Sequence, residues 1–440
     1  MSENLRKSED TQNTSESFSV FSSPETVLDG GNSEETSFSG QPVVTGRDIS
    51  TAEVLSEEEL CAEIMSPEQL AESREYGRIS LRYSLLDRAV DLLFLGLMAF
   101  LFTKPLIGWL VQVFPFLSGS GVFPTIGLTA ALMTCLTFLH AVISFPLSFF
   151  NGWVIEKRFG LSNLTPFHWF RRYLLQLLLV FVLNLFLMTA FLFLIRLSGS
   201  LWWAVVSVLF FLFSMVLGCL VPVLVMPLFY RVEKLENESL MERFLELTRS
   251  TTLRLTGIYR LDLSIETSKA NAMLAGLGTT RRVLLGDTLL KNFTDDEIIA
   301  VFAHEVGHHV HRHILKLMSG MFFASFAIFW LADLALRFWL GGSAFAVPDY
   351  AHLPVWTIPF FLFVMSIIGM FLEPFQNAVS RKFERQADTY ALKHCGSAGA
   401  MRSAFIKLAV QNKADPFPSK WEVFWLHSHP AIGERIQSIR

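Results

Sequence analysis

The sequence predicts a mainly α-helical, polytopic membrane protein with about six transmembrane helices and a small cytosolic α/β region. Three observations predict it: apolar runs of bilayer-spanning length, Lys and Arg concentrated in alternate segments between those runs, and one long polar segment with strand and helix signals of its own. The chain of 440 residues is 52% hydrophobic with 42 Phe, yet only 17% charged. The apolar residues gather in runs of roughly 20, enough for an α-helix to cross a hydrocarbon core about 30 Å thick.

Residues 1–72 stand apart. They carry 16 acidic and 3 basic side chains, so this segment is at −13 and the remainder at +9. Rich in Ser, Thr, Glu and Gly, the segment offers too little apolar surface to offset the entropy of ordering, and a disordered acidic tail without a packing role is expected. It has neither the basic start nor the apolar core of a signal peptide. The expected division is therefore 1–72 tail, 73–227 with four spans, and 228–440 with the polar region and two further spans. Cysteines at 61, 135, 219 and 395 have no CxxC or framework spacing, which argues against a disulfide scaffold or a Cys metal site.

Ser66-Pro67-Glu68 is a cap and first-turn proline opening the helix that leads into the first span. The spans are placed near 85–103, 122–145, 173–195, 201–225, 317–339 and 354–373. Lys157, Arg158, Arg171 and Arg172 lie in the 150–172 loop, and 228–316 and 376–440 are also basic, whereas 113–121 and 341–353 contain no Lys or Arg. By the positive-inside rule both termini and both large polar segments are cytosolic. Lys104, near the outer end of the first span, runs against the pattern and is expected to snorkel.

In the 228–316 segment, Arg281-Arg282-Val283-Leu284-Leu285 suggests a strand, and Thr294-Asp295-Asp296-Glu297 is a capping box opening a helix. That helix carries His304-Glu305-Val306-Gly307-His308. Residues four apart share a helix face, so His304 and His308 can reach one ion while Glu305 sits beside it as general base for a water. Zinc suits two imidazoles plus a carboxylate with a fourth position open. A merely polar helix face is the competing reading, given the neighbouring His309, His311 and His313. After His308 the chain crosses the membrane twice and returns to the same side, where 377–388 reads as a helix with Asn377, Arg381, Glu384 and Asp388 roughly on one face. Glu384 is the candidate third ligand and Asp388 a partner for a ligand histidine; a solvated, salt-bridged Glu384 is the alternative.

From about residue 74 to the C-terminus the chain resembles the type I CAAX prenyl proteases and their prokaryotic relatives, which are integral-membrane zinc peptidases. The resemblance is carried by Ile155-Glu156-Lys157-Arg158-Phe159-Gly160 with Thr165, Met226-Pro227-Leu228-Phe229, and Ser268-Lys269-Ala270-Asn271-Ala272 before Gly276-Leu277-Gly278. It continues with Gly286-Asp287-Thr288-Leu289-Leu290, the HExxH, Ser380-Arg381-x-x-Glu384-x-x-Ala387-Asp388, and His427-Ser428-His429-Pro430 with Glu434-Arg435. It implies a single Zn²⁺, and an edge strand at Asn271 and Ala272 that pairs with substrate backbone. It also implies His429 and Arg435 near the metal, for oxyanion stabilisation or substrate anchoring, and a large chamber within the membrane that the site faces. The family's eukaryotic members have a further N-terminal span where this chain has its acidic tail.

The function expected is a zinc-dependent endopeptidase acting on membrane-associated or CAAX-type peptide substrates, with Glu305 taking a proton from the attacking water and delivering it to the leaving amine. The partners expected are a peptide or protein substrate and the lipid bilayer, with no nucleic acid; the membrane expected is the bacterial inner membrane. Two other readings remain at this point. One is a heat-shock type quality-control metalloprotease, usually smaller and with fewer spans. The other is a catalytically inactive scaffold or transporter, for which Asp91 and Asp333, lying toward opposite ends of their spans, suggest no relay.

Overall fold

The computed structural model describes residues 56–119, 121–275 and 282–439. Among the described residues, five helical stretches are long and apolar enough to cross a membrane: Pro67–Val113, Val122–Arg158, Pro166–Leu220, His313–Gly341 and Val355–His394. The third is broken by a tight turn at Gly199–Leu201 into helices Pro166–Ser198 and Trp202–Leu220, which pack against each other. The third and fourth expected spans are thus the two arms of one stretch, folded where Gly199 takes φ +57, a value that suits glycine. Large apolar side chains point outward along these helices, with Phe123, Phe138 and Phe186 exposed at 87%, 67% and 59%. Such a surface fits lipid rather than water.

Between the spans, Trp202, Leu132, Ile195, Phe329, Leu336 and Phe361 form a buried core. Asp333 is buried there and accepts hydrogen bonds from Trp202 Nε1 at 2.7 Å, Tyr350 Oη at 2.6 Å and Arg337 Nε at 2.7 Å. Asp91 pairs separately with His140 at 2.7 Å. Each acid is therefore satisfied within its own cluster, as a polar group in an apolar medium must be. Lys104 places its ammonium 4.2 Å from the centre of the Trp356 ring.

The acidic tail is shorter than expected at its C-terminal end. Residues 1–55 lie outside the described residues, but Glu57–Ile64 is a helix capped by Ser56 with a capping box to Glu59, and the next helix begins at Pro67 with Ser66 and Gln69 in the same arrangement. The composition of 1–72 hides an apolar stripe: Leu60, Cys61, Ile64 and Met65 are at most 3% exposed and pack with Phe405, Ile436 and Ile439. Glu63 and Glu72 pair with Arg402 and Lys413. The expectation that the whole segment lacks a packing role is corrected here. Removing residues 1–55 should leave the melting temperature of the purified protein unchanged. Removing 1–65 should lower it markedly, because burial of four such side chains contributes on the order of 5 kcal/mol. Equal melting temperatures for the two truncations would refute the packing role.

The polar segment builds a four-stranded mixed sheet from β1 (Val232–Lys234), β2 (Ile258–Leu261), β3 (Ala272–Ala275) and β4 (Arg282–Gly286) in the order β1-β2-β4-β3. The strand expected over 281–285 is β4, with Arg281 outside the described residues. β2 and β4 run parallel; β1 and β3 are antiparallel to their neighbours. Among the described residues β3 pairs only with β4, and its other edge is open. Gly286 N–H donates to the Asn271 carbonyl at 2.9 Å, and a Cβ on Gly286 would lie 2.9 Å from that oxygen, which is why glycine ends β4. Since antiparallel pairs alternate, the N–H and C=O of Ala272 and Leu274 point away from β4.

Candidate metal centre

Helix Asp295–Val310 carries the first two candidate ligands, and its start is fixed by the expected capping box between Thr294 and Glu297. Glu297 also accepts hydrogen bonds from Ser403 and Lys407 at 2.6 and 2.7 Å, tying the zone to helix Ala398–Gln411. The third candidate ligand lies on helix Ile358–His394, 37 residues long. At 1.5 Å per residue it extends about 55 Å, well beyond the roughly 30 Å of hydrocarbon, so a single rod is long enough to cross a bilayer and still carry Glu384 to the other helix. The two helices meet at Gly307 and Ala387. A Cβ on Gly307 would lie 2.9 Å from Ala387 Cα and 3.0 Å from its carbonyl oxygen, so small residues at this crossing allow the approach.

Above that crossing His304, His308 and Glu384 converge. His304 Nε2 lies 3.1 Å from His308 Nε2 and 3.3 Å from Glu384 Oε2, while His308 Nε2 lies 3.3 Å from Glu384 Oε1. Ligands about 2.0–2.1 Å from a tetrahedral ion are about 3.3 Å apart, so the triangle has the dimensions of a zinc-type donor set. Glu384 Oε2 is buried without a hydrogen-bond partner, which in a protein of this kind calls for an explanation; a cation held by the triangle supplies one. Burial alone would lower the His304 pKa, but the Asp388 carboxylate bonded to its Nδ1 and the Glu384 carboxylate 3.3 Å from its Nε2 outweigh it and raise it to about 9. The surroundings of this imidazole favour positive charge.

The polar face expected on the 377–388 helix exists, and all four members are buried. Asn377 Nδ2 donates to the Trp425 carbonyl at 2.9 Å, and Arg381 Nη1 to those of Val423 and His427 at 2.8 and 2.7 Å. These bonds hold helix Lys420–Leu426 and the following turn, which carries His429. Asp388 Oδ1 lies 2.8 Å from His304 Nδ1, the outer-shell arrangement that fixes a ligand tautomer. Arg435 grips Asp388 with both arms, at 2.9 and 2.7 Å, and stacks 4.3 Å over Phe405. His429 is 60% exposed with Nε2 3.4 Å from Glu384 Oε1, and its Nδ1 lies 2.9 Å from Ser428 Oγ.

A cavity of about 830 Å³ opens on this centre. His304, Glu305, Glu384, His429 and Arg435 line it together with Ala270, Asn271 and Ala272, and the opposite wall is the Tyr76–Arg88 face of the first long helix. Of the residues singled out in the sequence, Asn377, Arg381 and Asp388 do not line this space; Asp388 borders a smaller cavity with Arg435, and His308 reaches the triangle from another of about 530 Å³ shared with His309 and His394. Sequence reasoning named Gly307 and Ala387 within motifs without their role at this crossing, and it did not find Asn412, whose side-chain amide holds the backbone of Ala270 just before β3. Only the pattern of small residues three places from each ligand helix's glutamate or histidine, at Gly307 and Ala387, gives a sequence signal for the crossing.

Comparison with known proteins agrees with the fold. Residues 234–440 match the profile of peptidase family M48, and 53–231 match the profile described as the CAAX prenyl protease N-terminal region with five membrane helices. An uncharacterized metalloprotease, YhfN of Bacillus subtilis, is 27% identical over 379 residues, covering 86% of each chain. CAAX prenyl protease 1 of Saccharomyces cerevisiae is 28% identical over 339 residues, 72% of each. The crystal structure of S. mikatae Ste24p superposes with a TM-score of 0.74 over 86% of this chain and 90% of that one, at 24% identity, and so shares the fold. Two adjoining profiles across nearly all of the described chain, on a multi-span fold with this donor set, identify the chain as a membrane metalloprotease of peptidase family M48, related to the CAAX prenyl proteases.

Proposed function

We propose that the protein is a zinc endopeptidase that takes an extended segment of a membrane-associated or CAAX-type substrate along the open edge of β3. The observation that carries this reading is that His304 and Glu384 of the donor triangle, Glu305 and the strand residues Asn271 and Ala272 line one cavity. Zinc held by His304, His308 and Glu384 would polarise the scissile carbonyl and lower the pKa of a water. Ala272 and Leu274 offer outward N–H and C=O groups to substrate backbone, which gives affinity with little dependence on side chains. Glu305 takes the proton of the attacking water and returns it to the departing amine. Arg435 has its guanidinium committed to Asp388, so its part is to position the His304 partner. His429, more exposed and beside Glu384, is the group that reaches charge developing on the substrate oxygen.

The match of 53–231 to a CAAX-protease N-terminal region favours this reading over the smaller heat-shock type, and the intact triangle favours it over an inactive scaffold or transporter. Ala272→Pro tests the strand. Proline removes an N–H that points away from β4, so the sheet and zinc content should stay as in wild type while kcat/KM on a peptide substrate falls about fivefold or more, in line with about 1 kcal/mol or more per lost hydrogen bond. Unchanged kcat/KM would refute edge pairing.

The same reading puts both termini and the active site on the cytosolic side, supported by the Lys and Arg asymmetry. Single cysteines at Ser343 and Ser419, in a background lacking Cys61, Cys135, Cys219 and Cys395, should react with an impermeant thiol reagent from opposite faces of sealed membranes. Reaction of both from one face would refute the assigned crossing.

A further inference from the structure

The second ligand histidine has a partner that differs in kind from that of the first. His304 is backed by a carboxylate, but His308 Nδ1 lies 3.0 Å from His313 Nδ1. His313 Nε2 lies 2.9 Å from Gln386 Oε1, and the His313 ring stacks on Phe383 with centroids 4.2 Å apart and planes at 7°. Phe383 and Gln386 lie on either side of Glu384 on the same helix, so the chain of contacts leads from one ligand back to the element that carries the third.

This meeting is not a property of a continuous helix. Residues five apart on an α-helix are about 140° apart around the axis and cannot face each other. The two histidines meet because Arg312 breaks the helix in the left-handed region, at φ +55 and ψ +37, and the next helix starts at His313. A non-glycine residue there is uncommon and costs on the order of 1 kcal/mol. An outlier of this kind next to a ligand, resolved into an ordered side-chain contact, points to a functional constraint.

We infer that His313, held by Gln386 and Phe383, is a positioning residue that fixes the tautomer of His308 and directs its Nε2 lone pair at the metal. The Gln386 carbonyl oxygen only accepts, so His313 carries its proton on Nε2 and presents Nδ1 as an acceptor. His308 must then donate from Nδ1, which leaves its Nε2 unprotonated and aimed at the triangle. Reversing the His308–His313 bond would put the His308 proton on Nε2 and block the site. The inference rests on the zinc reading above.

The test uses the full-length protein in detergent, with zinc affinity measured by competition with a chromophoric chelator. His313→Ala should weaken zinc binding by about 10–100-fold, while the melting temperature of the metal-free protein stays within the error of wild type. His313→Gln, whose side-chain carbonyl can also accept from His308 Nδ1, should recover most of the affinity. The visible absorption of the Co²⁺-loaded protein should change in His313→Ala and return towards wild type in His313→Gln. Affinity in His313→Ala within twofold of wild type would overturn the inference, as would equal losses in the Ala and Gln variants. Wild type and Glu384→Ala are measured alongside. Failure of wild type to bind one zinc per chain, or wild-type binding by Glu384→Ala, would overturn the zinc site itself and this inference with it.

Discussion

Glu305→Gln is expected to leave one zinc per chain and to reduce turnover by at least the 10²–10⁴-fold typical of a lost general acid–base. The amide matches the carboxylate in size and hydrogen-bonding reach, so the packing of helix Asp295–Val310 is undisturbed, but it can neither take nor return a proton. Glu305 is not one of the triangle's donors and lies half-buried on the wall of the large cavity, so its replacement removes chemistry rather than a ligand. The loss should fall on kcat, with KM close to wild type, because proton transfer contributes in the transition state and not to ground-state binding. Stoichiometric zinc together with wild-type kcat in this variant would remove Glu305 from the mechanism.

What the sequence made legible follows from how local each signal is. HExxH is a helix-face pattern, so His304, His308 and Glu305 could be read from spacing alone. Glu384 needed one more step, the two crossings that bring residues after 373 back to the same side, and the single 37-residue helix from Ile358 shows how directly that return is made. The Asn377, Arg381, Glu384 and Asp388 face was legible as a face. The tasks of Asn377 and Arg381, which bind carbonyls more than 40 residues away, were not. The helix at Glu57–Ile64 was missed because bulk composition over 72 residues averages away a stripe of four apolar side chains. The break between the third and fourth spans was legible as a connection at 196–200, but not its tightness, which depends on the positive φ of Gly199. His313 was visible only as another histidine in a polar run. Its role depends on the left-handed turn at Arg312, which propensity does not predict for an arginine.

His304→Ala, His308→Ala and Glu384→Ala should each release the metal, with losses in affinity larger than the roughly 10–100-fold expected when an outer-shell partner such as Asp388 or His313 is changed. On the proposed ligand set, three protein ligands already leave a position open for water or substrate, so a site reduced to two would have no donor in reserve. Glu384→Ala is the most informative of the three. Its carboxylate has one buried oxygen without a hydrogen-bond partner, and it is the only member of the triangle carried by the membrane-spanning rod, so losing it separates the metal from that rod altogether. Asp388, one turn further on, cannot readily replace it, since its two oxygens are engaged by His304 and Arg435. Asp388→Asn should therefore keep most of the metal under conditions where Glu384→Ala has lost it. Metal analysis of the purified variants after dialysis against a weak chelator distinguishes the two cases. Full zinc retention by Glu384→Ala, with loss from Asp388→Asn, would exchange the two roles and make Asp388 the third ligand.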